Sequence, residues 1–145
     1  FACCKALEEI NIPSHLKIVD MSAFRSSGLK SLNIVISDDC ECCIYDKAFA
    51  SCKHLESVYL NKNVKIVERM AFADCTSLKT IEFEQPSLTC CAGEINATML
   101  IGCTSLEKII VPKNKYNHYP DFNIQGYESA QFETRDFNSL ITPKE

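Results

Sequence analysis

Ten of the 145 residues are cysteine, and no other residue type in this chain has more chemical capacity. Six of them cluster or stand apart: Cys3, the group Cys40-Glu41-Cys42-Cys43, and the pair Cys90-Cys91. Such groups could supply soft metal ligands, a redox couple or a disulfide. Zinc sites usually use paired Cys-x₂₋₄-Cys knuckles, and neither cluster has that spacing cleanly, so no metal and no cofactor is expected. A bridge between the 40–43 and 90–91 clusters stays open. Histidines 15, 54 and 118 are far apart in the chain, and Cys52-Lys53-His54 lacks a third group to orient a nucleophile and base. Carboxylates such as Glu8, Glu9, Glu56, Glu82 and Glu107 are scattered rather than paired across a cleft, as hydrolysis would need. No catalytic residue is assigned. Asn96-Ala97-Thr98 is a glycosylation triplet that matters only on a eukaryotic secretory route.

The four remaining cysteines, Cys4, Cys52, Cys75 and Cys103, obey a different rule: each lies three residues after an apolar anchor. Ala48-Phe49-Ala50-Ser51-Cys52 leads to Leu55, Val58 and Leu60, and Ala71-Phe72-Ala73-Asp74-Cys75 leads to Leu78, Ile81 and Phe83. The same phrase runs from Phe1 to Ile12 and from Leu100 to Val111; a shorter variant runs from Phe24 through Ser27 to Ile34. Anchors at 1, 24, 49, 72 and 100 are 23, 25, 23 and 28 residues apart. Self-similarity at this period is the mark of a solenoid, in which stacked units bury faces that none could bury alone.

The element that positions these residues is a short strand. Alternation in runs such as Val58-x-Leu60 turns two side chains inward and their neighbours outward. Stacking then predicts a parallel sheet on one side, with Phe24, Phe49, Phe72, Leu100 and the four cysteines in a dry interior. Ser27 fills the cysteine slot of the second unit. A further apolar slot lies five residues before the anchor, at Val19, Ile44, Val67 and Ile95. Outward positions on the sheet are Glu9-Asn11-Pro13, Ser31-Asn33-Val35, Ser57-Tyr59-Asn61, Thr80-Glu82-Glu84 and Lys108-Ile110-Pro112. Their middle members, Asn11, Asn33, Tyr59, Glu82 and Ile110, should form one row, the candidate protein-contact face.

The spacing Leu55, Val58, Leu60, Asn63, repeated at Leu106, Ile109, Val111, Asn114, is that of leucine-rich repeats. Within that superfamily the Ala-Phe-x-x-Cys-x-x-Leu phrase, closed by Pro13 and Pro112 in two units, resembles the BspA-like group. The second unit lacks the Cys, the third puts Asn61 in the proline slot, and the fifth replaces Phe by Leu100. The resemblance implies a mostly β, right-handed leucine-rich-repeat solenoid of about five coils, with a parallel sheet on one face. It also implies a secreted or cell-surface role, adhesin-like, with a host or matrix protein as partner. An intracellular interaction scaffold is the alternative, favoured by unpaired cysteines; a thiol-redox or metal-binding protein stands behind it.

Residues 1–114 read as the solenoid, and residues 115–145 as a non-repeat C-terminal cap or tail. A chain that opens inside a repeat reads as a piece of a longer array. The stretch 84–91 holds most of the surplus in the longest interval and reads as a bulging loop. Ser129 to Leu140 reads as a short helix, because Phe132, Phe137 and Leu140 fall roughly on one face. Net charge is −4, with 15 basic against 19 acidic residues. That balance disfavours nucleic acid as a partner, and no apolar run reaches the roughly 18 residues needed for membrane insertion.

Overall fold

A computed structural model describes residues 1–84, 97–112 and 131–135. Along the chain run β1 (Ile18–Val19), β2 (Ser31–Ile34), β3 (Cys42–Ile44), β4 (Ser57–Leu60), β5 (Val64–Val67), β6 (Thr80–Phe83), a single-turn 3₁₀ helix (Ala97–Leu100), β7 (Lys108–Pro112) and β8 (Gln131–Arg135). The molecule is mostly β, a solenoid of stacked parallel strands.

Alternation sets the main sheet. Leu32 and Ile34 point inward from β2, Val58 and Leu60 from β4, Ile81 and Phe83 from β6, all fully or almost fully buried. The leucines that precede each strand, Leu29, Leu55, Leu78 and Leu106, are buried beside them. Every neighbouring pair is parallel and in register, so that Leu32 faces Val58, Val58 faces Ile81, and Ile81 faces Ile109. The sheet order is β2-β4-β6-β7-β8.

A second parallel sheet, β1-β3-β5, was not anticipated from the sequence. Its strands carry the apolar slot upstream of the anchor: Val19, Ile44 and Val67 are buried, together with Cys42 and Val64. A bulge between Cys42 and Cys43 shifts the pairing with β5. Three turns carry a strand in both sheets, which makes the solenoid about three complete turns rather than five. The copy opened by Phe1 forms no strand, and the copy around Leu100 adds only β7 among the described residues.

Between the sheets, each turn passes its anchor ring inward. Phe24, Phe49 and Phe72 stack with centroids 5.2 and 5.4 Å apart, and the largely exposed Phe1 ring stacks on Phe24 at 5.4 Å, all planes within 6°. Centroid spacing wider than the roughly 4.8 Å between coils means that the rings are offset, which aromatic quadrupoles favour. Leu100 continues the column, 1% exposed, where no ring is available. Backbone hydrogen bonds tie this return segment together from turn to turn: Phe24 N to Ala48 O, Phe49 N to Ala71 O, and Phe72 N to Met99 O. Residues two before and two after the anchors take left-handed backbone: Ser22, Lys47 and Met70 before, and Cys3, Ser26, Ser51 and Asp74 after. Glycine fills that later slot once, at Gly102 (φ 80°). Left-handed conformations at non-glycine residues carry a steric cost, and the inter-coil ladder holds them in place.

Residues 131–135 form a strand, not the helix that the 129–140 spacing suggested. β8 pairs in parallel with β7, with Ile109 opposite Phe132 and Ile110 opposite Glu133. The edge of β7 offers a row of backbone groups, and pairing with them outweighs a weak local helical periodicity. The rest of that helical span, the bulging loop beyond Glu84, Ile95, Asn96 and the cysteines at 90 and 91 lie outside the described residues.

Candidate functional site

The outward row is a product of register. Asn33 sits opposite Tyr59, Tyr59 opposite Glu82, and Glu82 opposite Ile110. Asn33 is exposed; Tyr59 and Glu82 are half-buried. Tyr59 Oη donates a hydrogen bond to Glu84 Oε2 at 2.9 Å, and Lys62 N donates to the same oxygen at 3.1 Å. The aromatic ring is therefore held over the sheet by a carboxylate two residues further along the next strand's track.

Three residues placed on or near this face by alternation behave differently. Ile110 is 2% exposed and offers no surface. Both Ile109 and Ile110 are buried, so the sheet is covered on both faces at β7. A continuous Ile-Ile-Val run is the usual sequence sign of such a strand, and the alternation rule overrode it. Asn61 is buried, because its Nδ2 donates to Ile36 O at 2.9 Å, the same carbonyl that accepts from Asn63 Nδ2 at 2.9 Å. Asn63 also donates to Asp38 Oδ1 at 3.0 Å. These two amides fasten the corner where the chain leaves β4. Asn11 is exposed but not in a strand; it shares a shallow cleft of about 300 Å³ with Asn33 and Val35.

The cysteine column is a set of donors. Cys52 Sγ donates to Phe24 O at 3.2 Å, Cys75 Sγ to Phe49 O at 3.2 Å, and Cys103 Sγ to Phe72 O at 3.1 Å. Each thiol thus reaches the anchor carbonyl of the preceding coil. Ser27 Oγ, 3.4 Å from Cys52 Sγ, extends the column by one unit. Hydrogen bonds with Cys103 and Cys52, then burial, push the Cys75 thiol well above its ordinary range, so it stays protonated. Cys4, in the same slot of the first copy, is exposed rather than buried.

Three off-column cysteines, Cys40, Cys42 and Cys43, lie on and just before β3. Cys40 and Cys42 are buried and Cys43 is half-buried. Burial, with Cys43 and Cys40 nearby, pushes the Cys42 thiol up to about 11. A thiol so raised holds little thiolate at neutral pH and is a poor nucleophile. Among the described residues no three His, Cys, Asp or Glu side chains gather into a metal-sized group. His15 pairs with Asp39 at 3.3 Å, both exposed; His54 lines a different cleft. Among the described residues no helix is long and apolar enough to cross a membrane.

Residues 1–122 match the BspA type leucine-rich repeat region in six copies. The chain belongs to the BspA-type leucine-rich repeat family. A solved leucine-rich repeat protein from Bacteroides ovatus has a similar fold, with a TM-score of 0.50 and 23% identity. The likeness covers 84% of this chain but only 36% of that one, so this chain spans about a third of that relative's length. No curated protein matches the sequence.

In this BspA-type chain, the family phrase explains the interior and says little of the surface. Leucine-rich-repeat solenoids are typically non-enzymatic binding modules. Sequence reasoning missed Glu84 as the residue that holds Tyr59, although its period-2 relation to Glu82 was visible. It also missed the second sheet, whose signal was the recurrent Val19, Ile44 and Val67 slot flanked by Cys42 and Val64.

Proposed function

We propose that the chain is a protein–protein interaction module that catalyses no reaction, carried in a secreted or cell-surface adhesin-like protein. The observation that supports this reading is the in-register row Asn33, Tyr59 and Glu82 on the outer face of the five-stranded sheet. An exposed amide, a buttressed aromatic and an acid on a rigid parallel sheet match the mixed chemistry of protein contact surfaces. Rigidity matters because little ordering entropy is lost when a partner docks. Asn11 and the apolar Val35, 55% exposed, extend this surface across the neighbouring cleft. The segment 115–145 acts as a C-terminal cap in this reading: β8 occupies the edge that β7 would otherwise expose,. A host or matrix protein fits the adhesin reading as partner; nucleic acid and membrane do not.

The test is surface plasmon resonance against a panel of immobilised extracellular matrix proteins and against host-cell membranes. Binding by the chain, weakened at least about tenfold in the Asn33→Ala/Tyr59→Ala double variant, supports the reading. Binding that is indifferent to both changes, or absent across the panel, overturns it. The rival reading, an intracellular scaffold, draws on the thiols that act as hydrogen-bond donors at Cys52, Cys75 and Cys103, since reduced cysteine suits a reducing compartment,. Counting free thiols in natively expressed protein separates the two: oxidised Cys40, Cys42 or Cys43 favours export.

A further inference from the structure

A cleft of about 340 Å³ lies at the corner where the chain enters the main sheet, and none of the sheet-row residues lines it. Lys5, Gly28 and Lys53 each stand four residues after an anchor, so they form a row across three successive coils. The middle position has no side chain, which leaves a gap with an ammonium-bearing stem on either side. His54 completes the outer wall, and Ser26 and Ser51, both in left-handed backbone at φ 58° and 57°, supply hydroxyls. Among the described residues, no carboxylate lines the cleft. In a chain of net charge −4 this is a local reversal of sign.

The cationic groups are also unspent. Lys30 pairs with Glu8 at 3.0 Å, Lys62 with Asp38 at 3.3 Å, and Lys65 Nζ donates to Lys62 O at 3.0 Å. Among the described residues, the Lys5, Lys53 and His54 side chains have no ion pair or hydrogen bond. Glycine is required at the centre of the row for a separate reason: a Cβ on Gly28 would collide with the Lys5 carbonyl oxygen. The close approach of two coils that demands glycine therefore also opens the gap.

We propose that this cleft binds a phosphate group, free or as a monoester. Two ammonium groups, two hydroxyls and an imidazole present more donors than the two oxygens of a carboxylate can accept. The oxygens of a tetrahedral phosphate can accept them all. Lysine suits this task as a mobile point charge, because its stem can fold over the gap from each side.

The test titrates the isotopically labelled full chain with inorganic phosphate, O-phosphoserine and acetate, at constant ionic strength, followed by amide NMR shifts. Saturable shifts at Ser26, Gly28, Ser51 and His54 are expected for both phosphates, with acetate weaker. Lys5→Gln and Lys53→Gln should each weaken phosphate about threefold and the double variant about tenfold, with the remaining spectrum unchanged. Lys79→Gln, outside the cleft, should leave binding as it is. Tighter binding of O-phosphoserine than of the free ion assigns the site to a monoester, and equal binding assigns it to the ion. Shifts that never saturate, acetate equal to phosphate, or an equal loss in Lys79→Gln overturns the proposal.

Discussion

The Cys75 thiol donates a hydrogen bond to the Phe49 carbonyl oxygen at 3.2 Å across the boundary between two coils. The same bond joins Cys52 to Phe24 and Cys103 to Phe72, so two columns of the interior, rings and thiols, are one connected structure. Cysteine suits the slot because it is small and apolar and still carries a donor. A buried carbonyl left without a partner costs about 1–3 kcal/mol. We expect Cys75→Val, which keeps bulk but deletes the donor, to destabilise by about that amount in urea unfolding. Cys75→Ser keeps a donor, as Ser27 does naturally, and should cost less than Cys75→Val. The reverse order would show that the slot selects for volume alone.

Phe72 sits at 0% exposure at the end of the stacked rings. Phe72→Ala should lower stability by about 3–5 kcal/mol, because it empties a site that neighbouring coils cannot refill. Phe72→Leu should cost clearly less, since Leu100 occupies the equivalent place. A melt in which Phe72→Ala matches the parent chain would contradict the stacked-coil interior.

Two glycines separate space from conformation. Gly28→Ala drives a methyl group into the Lys5 backbone, which cannot move aside without pulling the first coil away. Gly102→Ala meets the Asp74 side chain, which can rotate, but it must also hold φ at 80°. The second change should cost about 1–2 kcal/mol. The first should cost more and should loosen amide protection around Lys5–Leu7, as read by hydrogen exchange.

Alkaline pH should find a weak point at Cys42. Its thiol titrates near 11 when folded, above the ordinary value of 9.0. The unfolded chain therefore loses this proton first. The stabilisation from the neutral buried thiol is complete below pH 9 and is lost as pH rises through 11. Tm should fall over that window, and the fall should be shallower in Cys42→Ala than in the parent chain. In the same samples at neutral pH, Cys3 and Cys4 should alkylate quickly, while Cys52, Cys75 and Cys103 should react only on unfolding,.

Tyr59 is not a free surface residue. Tyr59→Phe removes its bond to Glu84 and should cost about 0.5–1.5 kcal/mol,. Asn33→Ala, at an exposed position of β2, should change stability by less than about 0.5 kcal/mol and report on binding alone. Differential scanning calorimetry of the two variants checks the contrast.

The interior was legible because it repeats. Phe49 and Phe72 stand six residues before Leu55 and Leu78, and Phe24 five before Leu29; a side chain that must meet its own copy in the next coil leaves a periodic trace. What broke the pattern was local context. Ile110 alternates as an outward residue but is covered, Asn61 turns inward to reach the Ile36 carbonyl, and Cys4 lies at an exposed turn. None of these outcomes follows from spacing, because each depends on what a different coil places alongside.

The sequence by itself determined the period, the identity of the inward slots and the family, because one stacking rule is written several times over. Only the tertiary structure decided that a second sheet closes each turn, that Gln131–Arg135 joins the edge of β7 as a strand, and that Glu84 holds Tyr59. Those features depend on backbone partners and side chains from other coils. A single repeat carries its own apolar pattern, but not the neighbours that satisfy its polar groups.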